Sequence, residues 1–189
     1  MFGSLFGKKK KKPPSSESLV DNIKDIVVGD VFTVADVSIE YDDSYFIVEK
    51  LNRYSSVGGD WYELEGVDGE QKVWLYWSDQ GGLFTSVMLD ERPQGLSSLG
   101  IDDDELIRID DEESIDNYIT IEGVQYYYRN SAEAFLYPDN KGSGEGFYLW
   151  DFASEDGSRM LSIDKWEGLP FQGHFTEVVP PESVTAYKR

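Results

Sequence analysis

Trp61-Tyr62-Glu63-Leu64-Glu65-Gly66-Val67-Asp68-Gly69-Glu70-Gln71-Lys72-Val73-Trp74-Leu75-Tyr76-Trp77 is the stretch that decides the fold class. Two runs rich in aromatic and branched residues flank one Asp-Gly pair. Their period is two, which is the period of a strand. Val73, Leu75 and Trp77 share one face, and Trp74 and Tyr76 share the other. Asp68-Gly69 predicts a type I′ hairpin, because both residues tolerate positive φ. Both faces of the second run are apolar, so either both are buried or one is a binding surface. Trp61, Tyr62, Trp74, Tyr76 and Trp77 are therefore the candidate ligand or partner surface.

The same period extends outward in both directions. Upstream, Val31 to Tyr41 and Ser44 to Leu51 read as strands. Before them Leu19, Ile23 and Ile26 fall on one helical face, with Ser18 as cap, Asp21 at the capping-box position and Gly29-Asp30 as the stop. Downstream, Leu83 to Leu89 is a strand and Arg92-Pro93-Gln94-Gly95 a turn. An acidic stretch follows from Asp102 to Asp116, interrupted by Leu106, Ile107 and Ile109, and reads as a solvated connection with a short helix or edge strand in it. Ile119 to Tyr128 resembles a tight hairpin about Glu122-Gly123. Ala134 to Tyr137, Phe147 to Phe152 and Arg159 to Ile163 continue the pattern, with a second Asp-Gly turn at Asp156-Gly157.

This gives a mainly β fold of two similar antiparallel units packed through aromatic faces, with a short N-terminal helix and a possible internal duplication. Phe32 to Tyr41 aligns with Ile119 to Tyr128. Tyr62-Glu63-Leu64 before Asp68-Gly69 aligns with Trp150-Asp151-Phe152 before Asp156-Gly157. The expected boundaries are 1–18 for a tail and linker, 19–100 for the first unit with its leading helix, 101–117 for the acidic connection and 118–189 for the second unit.

Composition narrows the function classes. The chain has 189 residues, 40% apolar, with five Trp, twelve Tyr and ten Phe, enough for a real core. It has no cysteine, which removes thiolate chemistry and disulfides and fits a cytoplasmic protein. The net charge of -20 argues against specific nucleic-acid binding. Against that acidity stands a basic, apolar start: Phe2, Leu5 and Phe6, then Lys8, Lys9, Lys10, Lys11 and Lys12. Each lysine near an anionic leaflet contributes about 1 kcal/mol, and shallow aromatics add apolar burial. These eight residues are the candidate contact with a membrane or partner, which would put the protein at the inner face of the membrane.

Other motifs are weaker. The acidic stretch lacks the alternating loop and distal Glu of a calcium site, so no metal site is expected there. Gly142-Ser143-Gly144-Glu145-Gly146 lacks the Lys-Ser/Thr pair of a phosphate loop and reads as a hairpin connection. His174, the single histidine, has no nucleophile elbow to serve and is expected in a loop or edge strand. No cofactor motif is present. No pair of carboxylates stands out among 37 acidic residues.

Val28-Gly29-Asp30-Val31, Trp61-Tyr62-Glu63-Leu64, Trp74-Leu75, Tyr118 to Tyr128, Phe147 to Phe152 and Ile163-Asp164-Lys165-Trp166-Glu167 together resemble a family known only as domain of unknown function 4178. The resemblance covers roughly residues 28–179. It implies an uncharacterised, mostly β bacterial protein with no catalytic residues to carry over. It also implies a membrane-stress or envelope setting, with a phage-shock-protein-A-like protein as partner, because such proteins are often encoded near homologues of that protein, small membrane proteins and spermidine-synthase-like enzymes. Three functions stay open: a non-catalytic interaction module docked by its basic tail, a binding domain for a small organic cation such as a polyamine, and an uncharacterised enzyme.

Overall fold

The computed structural model describes residues 19–20, 23–35, 37, 44–88 and 92–189. Among them the alternating runs form twelve antiparallel strands of one sheet. In chain order these are β1 (Leu19–Val20), β2 (Val31–Val34), β3 (Phe46–Ser56), β4 (Gly59–Asp68), β5 (Gln71–Asp79) and β6 (Leu83–Met88), then helices α1 (Leu96–Leu99) and α2 (Asp103–Glu112). The chain continues with β7 (Tyr118–Ile121), β8 (Val124–Tyr137), β9 (Glu145–Ser154), β10 (Arg159–Trp166), β11 (Gln172–Val179) and β12 (Val184–Tyr187). Their spatial order is β1-β12-β2-β3-β4-β5-β6-β11-β10-β9-β8-β7. β3 also pairs with β8, from Arg53 opposite Tyr137 to Ser56 opposite Ala134. That pairing closes β3–β6 and β8–β11 into an eight-stranded barrel.

Two bulges let β3 and β8 serve two environments each. The register between β3 and β4 skips Glu49: Val48 faces Gly66 and Lys50 faces Glu65. The register between β8 and β9 skips Arg129 in the same way: Tyr128 faces Phe152 and Asn130 faces Asp151. One extra residue moves the following side chains to the other face. Phe46 and Val48 thus pack in an outer core, while Asn52 and Tyr54 turn toward the lumen. Tyr126 and Tyr128 pack outward, while Asn130, Ala132 and Leu136 line the lumen.

The barrel carries apolar layers on its outside. β2 and β12 fold back over β4–β6, burying Phe32, Val34 and Ala186 against Leu64, Val73, Leu75 and Val87. The contact is close enough that a Cβ on Gly66 would stand 2.5 Å from the Phe32 ring. The other side is covered by α1 and α2, whose Leu96, Leu99, Leu106 and Ile109 pack on Phe152, Leu161 and Ile163. The stretch expected to be a solvated connection is therefore an amphipathic helix in its middle. Leu106 and Ile109 lie one turn apart on one face and are fully buried. Asp102 caps the helix by accepting the Glu105 N–H at 2.8 Å, and Asp103, Asp104 and Glu105 lie favourably in the positive first turn. Its Asp110 accepts the Tyr148 hydroxyl of β9 at 3.0 Å and ties the helix to the barrel.

Three local expectations change. Of the expected leading helix, the described residues show a two-residue strand, Leu19–Val20, paired with Tyr187 and Ala186, and a single 3-10 turn, Ile23–Asp25; Ser18 and Asp21 lie outside the described residues. The strand expected over Val31 to Tyr41 is described to Val34; residues 36 and 38–43 lie outside the described residues. The type I′ turn is not at Asp68-Gly69, where Asp68 still pairs with Gln71 and only Gly69 has positive φ, 64°. That is the pattern of a II′ turn. The I′ pattern falls on Glu122-Gly123, with φ of 51° and 84°.

Candidate functional site

Strand alternation sends every second barrel residue into a lumen of about 700 Å³. An eight-stranded barrel is about the size that either fills with side chains or holds one small ligand. Trp74 and Tyr76 point in, whereas Val73, Leu75 and Trp77 belong to the outer core. Trp61, Tyr54, Phe147 and Trp166 form an aromatic wall: Tyr54 stacks on Trp61 at 5.2 Å, Phe147 on Trp166 at 4.4 Å, and Tyr54 meets Phe147 edge-on at 6.0 Å.

Four carboxylates line this lumen, exposed Glu145 at the start of β9 among them, and neutral donors hold the other three. Glu63 of β4 accepts Asn52 Nδ2 at 2.7 Å and the Tyr54 hydroxyl at 3.1 Å, and it also hydrogen-bonds Tyr76. Asp151 of β9 accepts the Ser162 hydroxyl at 2.6 Å and Asn130 Nδ2 at 3.2 Å. Asp164 of β10 accepts the indole N–H of Trp166, and His174 Nε2 of β11 stands 3.4 Å from its Oδ1. The buried His174 Nδ1 has no hydrogen-bond partner among the described residues. No Lys or Arg is among the described residues lining the lumen. A charge-compensated carboxylate, Glu65, lies further along β4 and pairs with Lys50 at 2.6 Å and Lys72 at 2.8 Å.

These surroundings set the acidities. Burial raises Asp151 above the ordinary carboxyl value, and the hydrogen bonds from Ser162 and Asn130 only moderate that. Burial likewise raises Asp164, with His174 and the Trp166 indole acting the other way. Burial and the negative charge of Glu63 push the Tyr54 and Tyr76 phenols well above their ordinary value, and both also feel Asp164. Glu63 and Asp164 therefore lie near the same two phenols. At Glu65 burial pushes upward, but the two ammonium groups win and hold it below the ordinary value.

The sequence-derived surface is split by the wall. Trp61, Trp74 and Tyr76 reach the lumen; Trp77, part of the outer core, also touches it and stacks on Tyr62 at 4.2 Å. Phe2, Leu5, Phe6 and Lys8 to Lys12 lie outside the described residues. His174 is not in a loop or edge strand: β11 is an inner barrel strand between β6 and β10. Of the hairpin connection expected over residues 142–146, residues 142–144 lie between β8 and β9, and Glu145 and Gly146 open β9. Glu63, Asp151 and Asp164 were invisible among the many acidic residues. Their one local signal is that each sits at an inward position of an otherwise apolar strand. No cluster of possible metal ligands occurs among the described residues.

A family model described as a domain of unknown function, DUF4178, matches residues 35–181. The chain belongs to the DUF4178 family. No curated protein and no solved structure matches it. In this DUF4178 chain the match takes in the whole barrel, both bulges and all four lumen carboxylates. No helix among the described residues of the DUF4178 chain is long and apolar enough to cross a membrane.

Proposed function

We propose that this DUF4178 protein is a non-catalytic binding barrel whose lumen takes a small organic cation, a polyamine being the simplest candidate. The observation that carries this reading is the excess acidity of an aromatic-walled lumen, in which His174 beside Asp164 is the single basic side chain among the described lining residues. Three carboxylates there are held by neutral donors, and no lining Lys or Arg offsets them. An ammonium ligand would donate hydrogen bonds to their remaining lone pairs and lie against indole and phenol faces. It would also relieve the cost of charge in the wall, which burial makes unfavourable at Asp151 and Asp164.

The test is a thermal titration with spermidine against Mg²⁺ at matched ionic strength, on the native chain and on Glu63→Gln/Asp164→Asn. At a hundredfold excess over Kd, a bound ligand stabilises by about 2.7 kcal/mol. A larger response to spermidine, lost in the double variant, is expected. Equal responses to both cations, or an undiminished response in the variant, would sink the reading.

Two further parts of the proposal rest on other grounds. Role as an interaction module in a membrane-stress setting, with a phage-shock-protein-A-like partner, follows from the family resemblance and the basic tail. Internal duplication is supported by the shared strand order of β2–β6 and β7–β11 and by a bulge at the same place in each.

A further inference from the structure

The sheet ends at β7, so among the described residues one flank of that strand has no neighbouring strand. Its register with β8 shows which backbone groups are left over. Tyr128 donates its N–H to Asn117 O at 2.8 Å, and hydrogen-bonded pairs alternate along an antiparallel ladder, so Ile119 and Ile121 are the residues bonded to Tyr126 and Val124. Tyr118 and Thr120 therefore turn their N–H and C=O groups to the open flank. Their side chains are exposed, whereas Ile119 and Ile121 are buried in the core under the helices. A groove of about 480 Å³ meets this edge. Tyr118, Ile119 and Thr120 line it together with Glu105 and Arg108 of α2 and with Gly100 and Ile101 just before that helix. Consecutive residues of both parities line it, as expected of a groove against the open edge of a strand and not over one face.

Charge decides what such an edge accepts. From Gly100 to Glu122 the chain holds ten acids and one base, Arg108. Arg108 is engaged by Glu112 at 2.9 Å. The adjoining β8 adds one base, Arg129 in its bulge, whose guanidinium donates to Tyr128 O at 3.4 Å. Glu105 and Asp116, which line the groove, form no ion pair among the described residues, and neither does Glu122 at the other end of β7. A second copy of this chain is a poor occupant. Two β7 edges paired antiparallel about Ile119 would set Asp116 opposite Glu122, like charge against like. A basic extended segment instead brings cations to the same acids.

We propose that β7 takes up an extended, Lys/Arg-rich segment of a partner protein as an added strand. The backbone of that segment bonds the outward groups of Tyr118 and Thr120, which supplies affinity. Its basic side chains meet Glu105, Asp116 and Glu122, which supplies selectivity. β7 has four residues and is about 14 Å long, so a short linear segment suffices. The inference is independent of the lumen and its ligand.

The experiment is fluorescence anisotropy of the full chain with three labelled peptides. These are Lys-Val-Lys-Val-Lys-Val, its Glu-Val counterpart, and a fully N-methylated form of the basic peptide, which keeps every charge but donates no backbone hydrogen bond. Native protein, Thr120→Pro and the control Val57→Ser are compared, with circular dichroism and Tm confirming that each is folded. Proline is tolerated at an edge position whose N–H faces solvent, so Thr120→Pro keeps the β7–β8 ladder and blocks an added strand. Val57 is exposed at the β3–β4 turn, outside β7 and its groove. The expected result is that native protein binds the basic peptide and not the acidic one. Binding should weaken about tenfold in Thr120→Pro and with the N-methylated peptide, the scale of one or two backbone hydrogen bonds, and be unchanged in the control. Equal binding of the N-methylated peptide would assign the attraction to charge alone and overturn strand addition, and this arm decides even if Thr120→Pro does not fold. Native-like binding by folded Thr120→Pro would overturn the role of this edge. No binding of the basic peptide by native protein at about 1 mM would overturn the proposal outright.

Discussion

β3 and β8 make the same one-residue detour, at Glu49 and at Arg129, and the residues facing those detours differ in kind. Opposite the first bulge stand Gly66 on the outside and Glu65 on the barrel side. Opposite the second stand Phe152 and Asp151. Glycine suits the first meander because a strand, β2, presses Phe32 directly onto that spot. Phenylalanine suits the second because helices cover it, leaving depth for a large ring beside Tyr128. The carboxylates diverge as well. Glu65 is neutralised by two lysines, whereas Asp151 has only a hydroxyl and an amide. One backbone device has thus been fitted with a sealed ionic end in one half and an unspent negative charge in the other.

The comparison breaks most visibly at Phe152. Phe152→Ala leaves a void under the helices and is expected to cost about 3–5 kcal/mol, read by urea unfolding. A much smaller cost would mean that α2 collapses onto the barrel and that the two outer layers are less distinct than they look. Gly66→Ala forces a methyl into the Phe32 ring and is expected to cost about 1–3 kcal/mol by the same measurement. A neutral result there would show that β2 has room to give.

The carboxylates sharpen the contrast through pH. Glu65→Gln is expected to lose about 1–2 kcal/mol at pH 7, with the exposure of both lysines keeping the loss modest. Because the folded Glu65 is more acidic than the unfolded one, its contribution is present above the ordinary carboxyl value of about 4 and is lost as pH falls through the lowered folded value. Asp151→Asn is expected to act in the opposite direction and more weakly, stabilising at pH 8 by up to about 1 kcal/mol, or about 2–4 °C in Tm. Folded Asp151 holds its proton to higher pH than the unfolded chain, so the native protein loses stability as pH rises from about 4 through the folded value. The Asn advantage should therefore vanish in acid. A pair of Tm–pH curves with the same sign would refute the distinction between the two halves.

Strand period made most of this fold legible. Val73, Leu75 and Trp77 against Trp74 and Tyr76 correctly divide an outer core from a second interior. Closure of the barrel was not legible, since β3–β8 pairing joins distant segments and leaves no local mark. The bulges were hidden too: Glu49 and Arg129 are ordinary polar residues in strand runs. The β9–β10 turn is also two residues longer than the β4–β5 turn, which shifts the Asp-Gly match between halves, so that Glu65, not the aligned Glu63, stands in the place of Asp151. The charge of the acidic stretch left α2 open between a short helix and an edge strand, and the helix is the alternative found, with Leu106 and Ile109 buried. The candidate site was half visible. Its aromatic residues drew attention by type, while its carboxylates needed the inward parity that only the closed barrel supplies.

The barrel is stitched shut by two ladders of unequal pedigree to the rest. Within each meander, neighbouring strands are joined over most of their lengths, as from Trp61–Ser78 to Asp68–Gln71. The two meanders meet only along Arg53–Ser56 with Ala134–Tyr137, and along Thr85–Val87 with Glu177–Val179. Both seams join residues far apart in the chain, so they close late in folding and have the least redundancy once formed. In the native state such seams are the cheapest places for transient opening. Amide exchange should then run faster at Ser55 and Phe135 than at Leu64 and Leu75, and the two seams would be where the lumen wall first gives.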